Sequence, residues 1–158
     1  MYKRQRYPSL TSTILDLPNV LTVAKEYIAK HDLDDRIDTV VGNFLEPGMP
    51  SGYDLASFIT PLQGYMPEQV VEALRNARKC LEPGGTLLVI DYMLNDAKTG
   101  PTDPAFVNLF GIRKGRFLNR VNTGAEWSSF LLEAGYVDPQ PGWFTPHQLG
   151  LVTARRPD

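Results

Sequence analysis

Cysteine is nearly absent: Cys80 is the only one in 158 residues, so the chain can close no disulfide within itself. It falls late in a predicted helix and reads as a small buried apolar residue. Histidine is almost as scarce. His31 and His147 stand far apart with no cysteine or acid at ligand spacing, which argues against a dedicated metal site. No stretch approaches the roughly 18 consecutive apolar residues of a membrane-spanning helix, and no signal-peptide pattern opens the chain, so a cytoplasmic location is expected. An excess of either charge is missing too. Sixteen Lys and Arg against 18 Asp and Glu leave a net −2 and a pI near 5.7, with no electrostatic reason to expect nucleic acid or an anionic membrane as partner. Short basic groups such as Arg113-Lys114-Gly115-Arg116 and Arg155-Arg156 read as solvated surface. The most telling gap is in glycine, because the first one in the chain is Gly42.

What is present is the composition of an ordinary globular domain, 42% hydrophobic and 22% charged. Strand and helix patterns alternate along it. Ser12 to Leu17 reads as a strand; Pro18 suits a first helical turn, and Val20, Ala24, Tyr27 and Ile28 recur at helical spacing through about His31. Arg36 to Val41 and Tyr53 to Ile59 are further strands, separated by a loop rich in proline and glycine. Pro67-Glu68 opens a helix whose apolar stripe is Val70, Val71, Leu74, Ala77 and Leu81. That helix stops at Glu82-Pro83-Gly84-Gly85, and Thr86 to Ile90 follows as a central parallel strand covered on both faces. After Asp91 the rhythm breaks: residues 93–104 are turn-rich, with a short helix over Asp103 to Ile112. Thr123 and Glu126 stand at capping-box spacing before a helix that Gly135 closes. Tyr136 to Trp143 and His147 to Arg155 then read as an antiparallel pair. Alternation of this kind means βαβ units around a mostly parallel sheet, in one α/β domain.

The chemistry is expected at one rim of that sheet. Each of the first four strands ends in a polar group: Asp16, Asn43, then Thr60 and Gln63, then Asp91. Open parallel sheets bind ligands just beyond the carboxyl ends of their strands. Any one of these residues also suits plain turn chemistry, so the case rests on the set. Asp16 is the strongest. A β-branched and aliphatic run ending in an acid, followed by a proline-opened helix, is how a nucleotide-binding fold grips the vicinal hydroxyls of a ribose. Such an acid normally follows a glycine-rich turn by about 20 residues, and here only 15 residues precede it, none of them glycine.

Ser12-Thr13-Ile14-Leu15-Asp16-Leu17-Pro18-Asn19-Val20, Gly42-Asn43-Phe44, Tyr53-Asp54-Leu55 and Leu81-Glu82-Pro83-Gly84-Gly85 resemble, in order and spacing, the S-adenosylmethionine-dependent O-methyltransferases of the small-molecule branch shared by plant phenolic enzymes and bacterial secondary metabolism. Glu126-Trp127 through Ala134-Gly135-Tyr136 resembles that family's late helix and the strand after it. The resemblance runs from about Arg6 onward and implies a Rossmann-like methyltransferase sheet, mostly parallel with an antiparallel C-terminal strand pair. It implies S-adenosylmethionine as cofactor, with Asp16 on the ribose, Asn43 where the family often has an acid facing the adenine amine, and Leu17, Phe44 and Thr60 at the same cofactor rim. Two departures stand out. Gln63 occupies the place of a histidine that takes the acceptor's proton in the best-known members, and a neutral amide has no useful basicity near neutral pH. Asp91 stands where those members carry an acid that orients the histidine; the other supporting acid falls near Asn119, ahead of Arg120, and is also replaced. Tyr65, Met66, Tyr92, Met93, Phe106, Phe110 and Phe117 are candidates to line an apolar acceptor pocket, or simply core.

The family's sheet order, 3-2-1-4-5-7-6, puts its first strand in the centre, and that strand and its glycine loop precede the segment that starts here at Arg6. The expectation is therefore a partial catalytic domain over residues 6–158, lacking the first strand, the glycine-rich loop and the N-terminal dimerisation domain, whose parent is a homodimer and which is itself inactive. Residues 1–5 fit nothing in the family. Met1-Tyr2-Lys3-Arg4-Gln5 back-translates as GTG TAT AAG AGA CAG, the end of a transposon adaptor used in sequencing libraries, so these five residues are expected to be non-native. Two other readings remain open: half of a nicotinamide-dependent oxidoreductase, because an acid after the second strand also grips its ribose, and a non-catalytic relative kept for binding or assembly, which the losses at Gln63 and Asn119 favour.

Overall fold

A computed structural model describes Tyr7, residues 9–113, 121–145 and 149–158, with side chains for all of these except 108–113. Residues 1–5, the basic group Lys114-Gly115-Arg116, Phe117, Asn119, Arg120 and His147 lie outside the described residues, as does the side chain of Phe110. The chain divides into two compact units, Met1–Met49 and Pro50–Asp158.

The first unit is a single βαβ unit. Strand β1 (Ser12–Asp16) and strand β2 (Ile37–Val41) pair in parallel, with Ser12 opposite Ile37 and Asp16 opposite Val41. Helix α1 (Pro18–Lys30) connects them, with Pro18 in its first turn, where the missing N–H costs nothing. The packing face of α1 differs from the expected stripe. Leu21 and Ile28 are buried, whereas Val20 and Tyr27 are 44% and 60% exposed. Seven residues apart, Leu21 and Ile28 share one side of the helix. Val20, Val23 and Tyr27 share another, so α1 carries a second apolar face that nothing in the unit covers among the described residues.

The second unit is built around β4 (Leu81–Leu94). Strand β3 (Tyr53–Ile59) pairs parallel to it on one edge, and β7 (Leu149–Arg155) pairs antiparallel on the other, followed outward by β6 (Val137–Trp143). The antiparallel terminal pair thus forms as its alternating pattern predicts. Helix α2 (Pro67–Cys80) buries Val70, Val71, Leu74 and Ala77, the stripe read from its spacing, with Leu81 buried just beyond it. Helix α3 (Thr102–Arg113) follows β4, and α4 (Gly124–Glu133) packs Trp127 and Leu131 into the same core as Leu87, Val89, Tyr136, Val152 and Ala154. Thr123 Oγ1 accepts from Glu126 N at 3.2 Å while Glu126 Oε2 accepts from Thr123 N at 2.8 Å, completing the expected capping box. Gly135 ends α4 at φ +88°. Burial of Tyr136 raises its phenol pKa, and the hydroxyl donates to Leu74 O at 3.1 Å, tying β6 to α2.

Strand β4 is longer than its apolar run at both ends. The Pro83-Gly84-Gly85 segment does not precede the strand but lies within it. Gly84 takes φ +74°, and a Cβ on Gly85 would lie 2.8 Å from Glu82 O and 3.3 Å from Asp54 O, so the glycines let the backbone kink against β3. At the other end the strand continues through Asp91 to Leu94, where the sequence pattern suggests a break. Its extension is held by a two-residue parallel strand, β5 (Asn122–Thr123), with Met93 opposite Asn122. Opposite Asp91 on β7 stands Gly150, and a Cβ there would lie 2.5 Å from Met93 Sδ and 2.6 Å from Met93 Cβ. The Met93 Cβ cannot swing aside. Gly150→Ala is therefore expected to cost about 1–3 kcal/mol, read as a lower denaturant midpoint for the variant than for the parent chain.

Candidate functional site

Within the first unit, the parallel pairing brings the carboxyl ends of β1 and β2 together. Gly42 N donates to Asp16 O at 3.1 Å, so the Gly42-Asn43-Phe44 turn starts directly beside the end of β1. A side chain at Gly42 would crowd Leu15, its Cβ lying 3.1 Å from Leu15 Cδ1. Asp16 Oδ1 accepts from Leu17 N at 2.8 Å, which fixes the carboxylate at the mouth of α1; Oδ2 accepts no hydrogen bond among the described residues. Leu17, next to it, is 51% exposed. The turn also uses Asn43 for itself: Oδ1 accepts from Leu45 N at 3.0 Å and Nδ2 donates to Glu46 Oε1 at 3.1 Å. One lone pair on Asn43 Oδ1 remains for a ligand donor. Phe44 is half-buried beside it.

Within the second unit, the ends of β3 and β4 converge in the same way. Thr60 has φ +60°, a conformation few side chains adopt outside functional turns, and its N–H donates to Ile90 O at 2.8 Å, adding one rung to the β3–β4 ladder. The chain then buries Leu62 and returns Gln63 to the end of β4. Gln63 Nε2 donates to Asp91 Oδ1 at 2.5 Å, and Tyr92 N donates to the same oxygen at 2.8 Å. Two donors on one oxygen leave Oδ2 without a partner among the described residues. Asp91 is only 4% exposed. Burial is the main reason its pKa is pushed up to about 6; the Gln63 and Tyr92 hydrogen bonds oppose it, and no cationic side chain among the described residues pairs with it.

Sequence reasoning set Gln63 and Asp91 in the places of a histidine and the acid that orients it, and the two side chains do touch. It missed Asn122, which is 6% exposed, pairs with Met93 two residues beyond Asp91, and has a buried Oδ1 with no hydrogen-bond partner among the described residues. Its only signal was position, directly before the Thr123 cap. Among the residues considered for an acceptor pocket, Tyr65 and Tyr92 are half-buried and Met66 is exposed. Phe106 is 53% exposed, and Met93 is buried with its side chain lying over Gly150. Among the described residues no helix is long and apolar enough to cross a membrane.

Each unit thus carries polar side chains at the carboxyl ends of its parallel strands, Asp16 in the first and Gln63 with Asp91 in the second, and the fold is that of the α/β methyltransferases. The chain belongs to the O-methyltransferase domain family, whose model matches residues 3–137. A 3-hydroxy-5-methyl-1-naphthoate 3-O-methyltransferase of Streptomyces sahachiroi is 33% identical over 131 residues, covering 83% of this chain and 37% of that protein. An L-tyrosine C(3)-methyltransferase of Streptomyces lavendulae is 28% identical over 156 residues, 94% of this chain and 42% of that one. The solved structure of the S-adenosylmethionine-dependent methyltransferase SibL in its apo form superposes with a TM-score of 0.83 at 29% identity, covering 98% of this chain and 46% of that one. The chain therefore spans about two fifths of the length of the curated relatives it matches. Family membership removes the reading as half of a nicotinamide-dependent oxidoreductase.

Asp91 also sets a pH dependence. In the folded state the carboxyl keeps its proton up to about pH 6, against an ordinary value of 3.8. The folded state thus binds more protons than the unfolded one between those values, so stability falls as pH rises through this window and the loss is complete above it. The penalty is at most about 3 kcal/mol. Asp91→Asn, which keeps shape and removes the charge, is expected to be more stable than the parent chain at about pH 8 and to lose that advantage at about pH 4. Denaturant titrations at the two pH values check this; an equal loss at both would refute it.

Proposed function

We propose that this chain forms the ribose-binding and acceptor-facing parts of an enzyme that transfers a methyl group from S-adenosylmethionine to a hydroxyl of a small aromatic molecule. The observation that carries the reading is Asp16: a carboxylate at the carboxyl end of β1, fixed by Leu17 N through one oxygen and open through the other. That arrangement fits two vicinal hydroxyls. Leu17 and Phe44 would pack on the adenine, and Asn43 would accept from its amine; Thr60, in the second unit, is a cofactor residue by the family resemblance alone. The bound cofactor would supply a sulfonium-activated methyl group. The protein's own contribution is to hold the acceptor in line with it, a contribution worth up to about 7–11 kcal/mol.

The active protein, in this reading, is longer than the 158 residues. Two features support that. Strand β3 has one hydrogen-bonded neighbour, β4, and strand β1 has one, β2, so each keeps an unpaired edge among the described residues. Leu55 and Ile59 of β3, and Val20, Val23 and Tyr27 of α1, are apolar yet exposed. A further parallel strand with its glycine-rich loop would satisfy the β3 edge, and a helical N-terminal domain would make the enzyme a cytoplasmic homodimer. Reading the DNA upstream of the gene segment tests for that strand and domain directly.

Calorimetry on that longer protein tests the function. S-adenosylhomocysteine is expected to bind and NAD not to. Asp16→Ala should weaken binding by about 10- to 100-fold, the loss of charge-assisted hydrogen bonds worth about 1.5–3 kcal/mol. No binding of S-adenosylhomocysteine would end the reading. A non-catalytic binding or assembly role is the second reading, favoured by the neutral amide of Gln63 at the acceptor end. Cofactor binding without methylation across a panel of phenols and amines would select it.

A further inference from the structure

We propose that the Asp91 carboxylate is the catalytic residue that takes the acceptor's proton, with Gln63 as a positioning residue that aims it, and that the acceptor is in consequence a phenol and not an aliphatic alcohol. This rests on the methyl-transfer reading above. Gln63 lies next to the reaction rim but offers no base; its Nε2 is spent on Asp91 Oδ1. Tyr92 N holds that same oxygen. The two donors hold Oδ1, and among the described residues Oδ2 has no partner, so the pair divides into a held oxygen and a working one.

Among the described residues the surroundings are neutral. The end of β3 presents Thr60 and Gln63, β7 presents Gly150 with Leu149 and Leu151 beside it, and β5 presents Asn122. On its own strand the neighbours are Tyr92 and Met93. Tyr92 follows Asp91 directly, and Tyr65 lies two residues after Gln63. Cys80 closes α2 at the opposite end of β4, Asp103 in the first turn of α3 is exposed, and Lys98 is engaged by Glu126 at 2.8 Å. With no cation among these groups to hold Asp91 ionised, it can accept a proton near neutral pH. As the acceptor oxygen forms its bond to the methyl carbon and the methyl–sulfur bond breaks, with its electron pair left on sulfur as a neutral thioether, the hydroxyl proton passes to Asp91 Oδ2. One positive and one negative charge vanish together, which a dry site favours. A carboxylate is a weak base, so only an acidic hydroxyl can hand over its proton this way.

The experiment uses the longer protein, with cofactor affinity measured first. With phenols of graded acidity, kcat should rise with pH along a limb that coincides with the titration of the Asp91 carboxyl carbon, followed by 13C NMR. Asp91→Asn is expected to lower kcat by about 10²–10⁴-fold and abolish the limb while S-adenosylhomocysteine affinity stays the same. Gln63→Leu removes a hydrogen bond that favours the ionised form, so the limb and the carbon titration should move up in pH together. Asp91→Glu should restore part of the limb. Turnover of Asp91→Asn within about threefold of the parent enzyme, or a carboxyl carbon that titrates with ordinary surface acids, would overturn the proposal while leaving methyl transfer standing. Cofactor binding without turnover of any phenol would overturn it in favour of a binding protein. Absence of cofactor binding would remove the methyl-transfer reading and the base with it.

Discussion

The double-sided pairing of β4 is the constraint on which the second unit depends. Its backbone groups are satisfied by β3 along one edge and by β7 along the other, and its side chains at Leu87 and Val89 are almost fully excluded from water. A strand in that position has no freedom to slip, because one residue of register shift would turn every apolar side chain to the wrong face. Everything at its carboxyl end inherits that rigidity. Asp91 is anchored opposite Gly150, Met93 is clamped over that glycine, and the short β5 holds the extension straight. A carboxylate on such a support can be kept dry without collapsing onto a cation, and that is the condition for its altered proton affinity.

Much of this was legible in the residues because local and tertiary preferences agree. The proline-opened helices α1 and α2, the capping box at Thr123 and the antiparallel terminal pair each rest on short-range chemistry that packing does not contradict. The sequence pattern failed where packing overrode it. Glu82-Pro83-Gly84-Gly85 reads as a breaker, yet the glycines serve a kink inside a strand. The polar Asp91 reads as the end of β4, yet the ladder to β7 continues through it to Tyr92 opposite Leu149. On α1 the helical period is obvious but the choice of face is not, because both sides are apolar; Leu21 and Ile28 won over Val20 and Tyr27.

The site was readable as positions and not as contacts. A polar residue stands at or just beyond each parallel strand end, Asp16 and Asn43 in the first unit and Thr60, Gln63 and Asp91 in the second. What periodicity cannot reveal is how side chains use their lone pairs. Asn43 spends most of its amide on its own turn, Gln63 reaches across 28 residues to Asp91, and Asn122 keeps an acceptor with no partner among the described residues. These are outcomes of loop geometry at Thr60 and of register at Met93, neither of which leaves a mark in composition.

The antiparallel pairing of β4 with β7 also has a meaning for synthesis. Thr86 meets Arg155 and Tyr92 meets Leu149, so the inner strand of the sheet waits for a partner made about sixty residues later. Until that segment leaves the ribosome, one full edge of β4 and the apolar face beneath it stay open. A nascent chain in this state is a template for the wrong partner, including another copy of itself. The carboxyl end of β4, opposite Leu149 and Gly150, therefore meets its partner a few residues before the amino end opposite Arg155 does, and a single frameshift near residue 149 would remove that partner while leaving Asp16, Asn43, Thr60, Gln63 and Asp91 encoded.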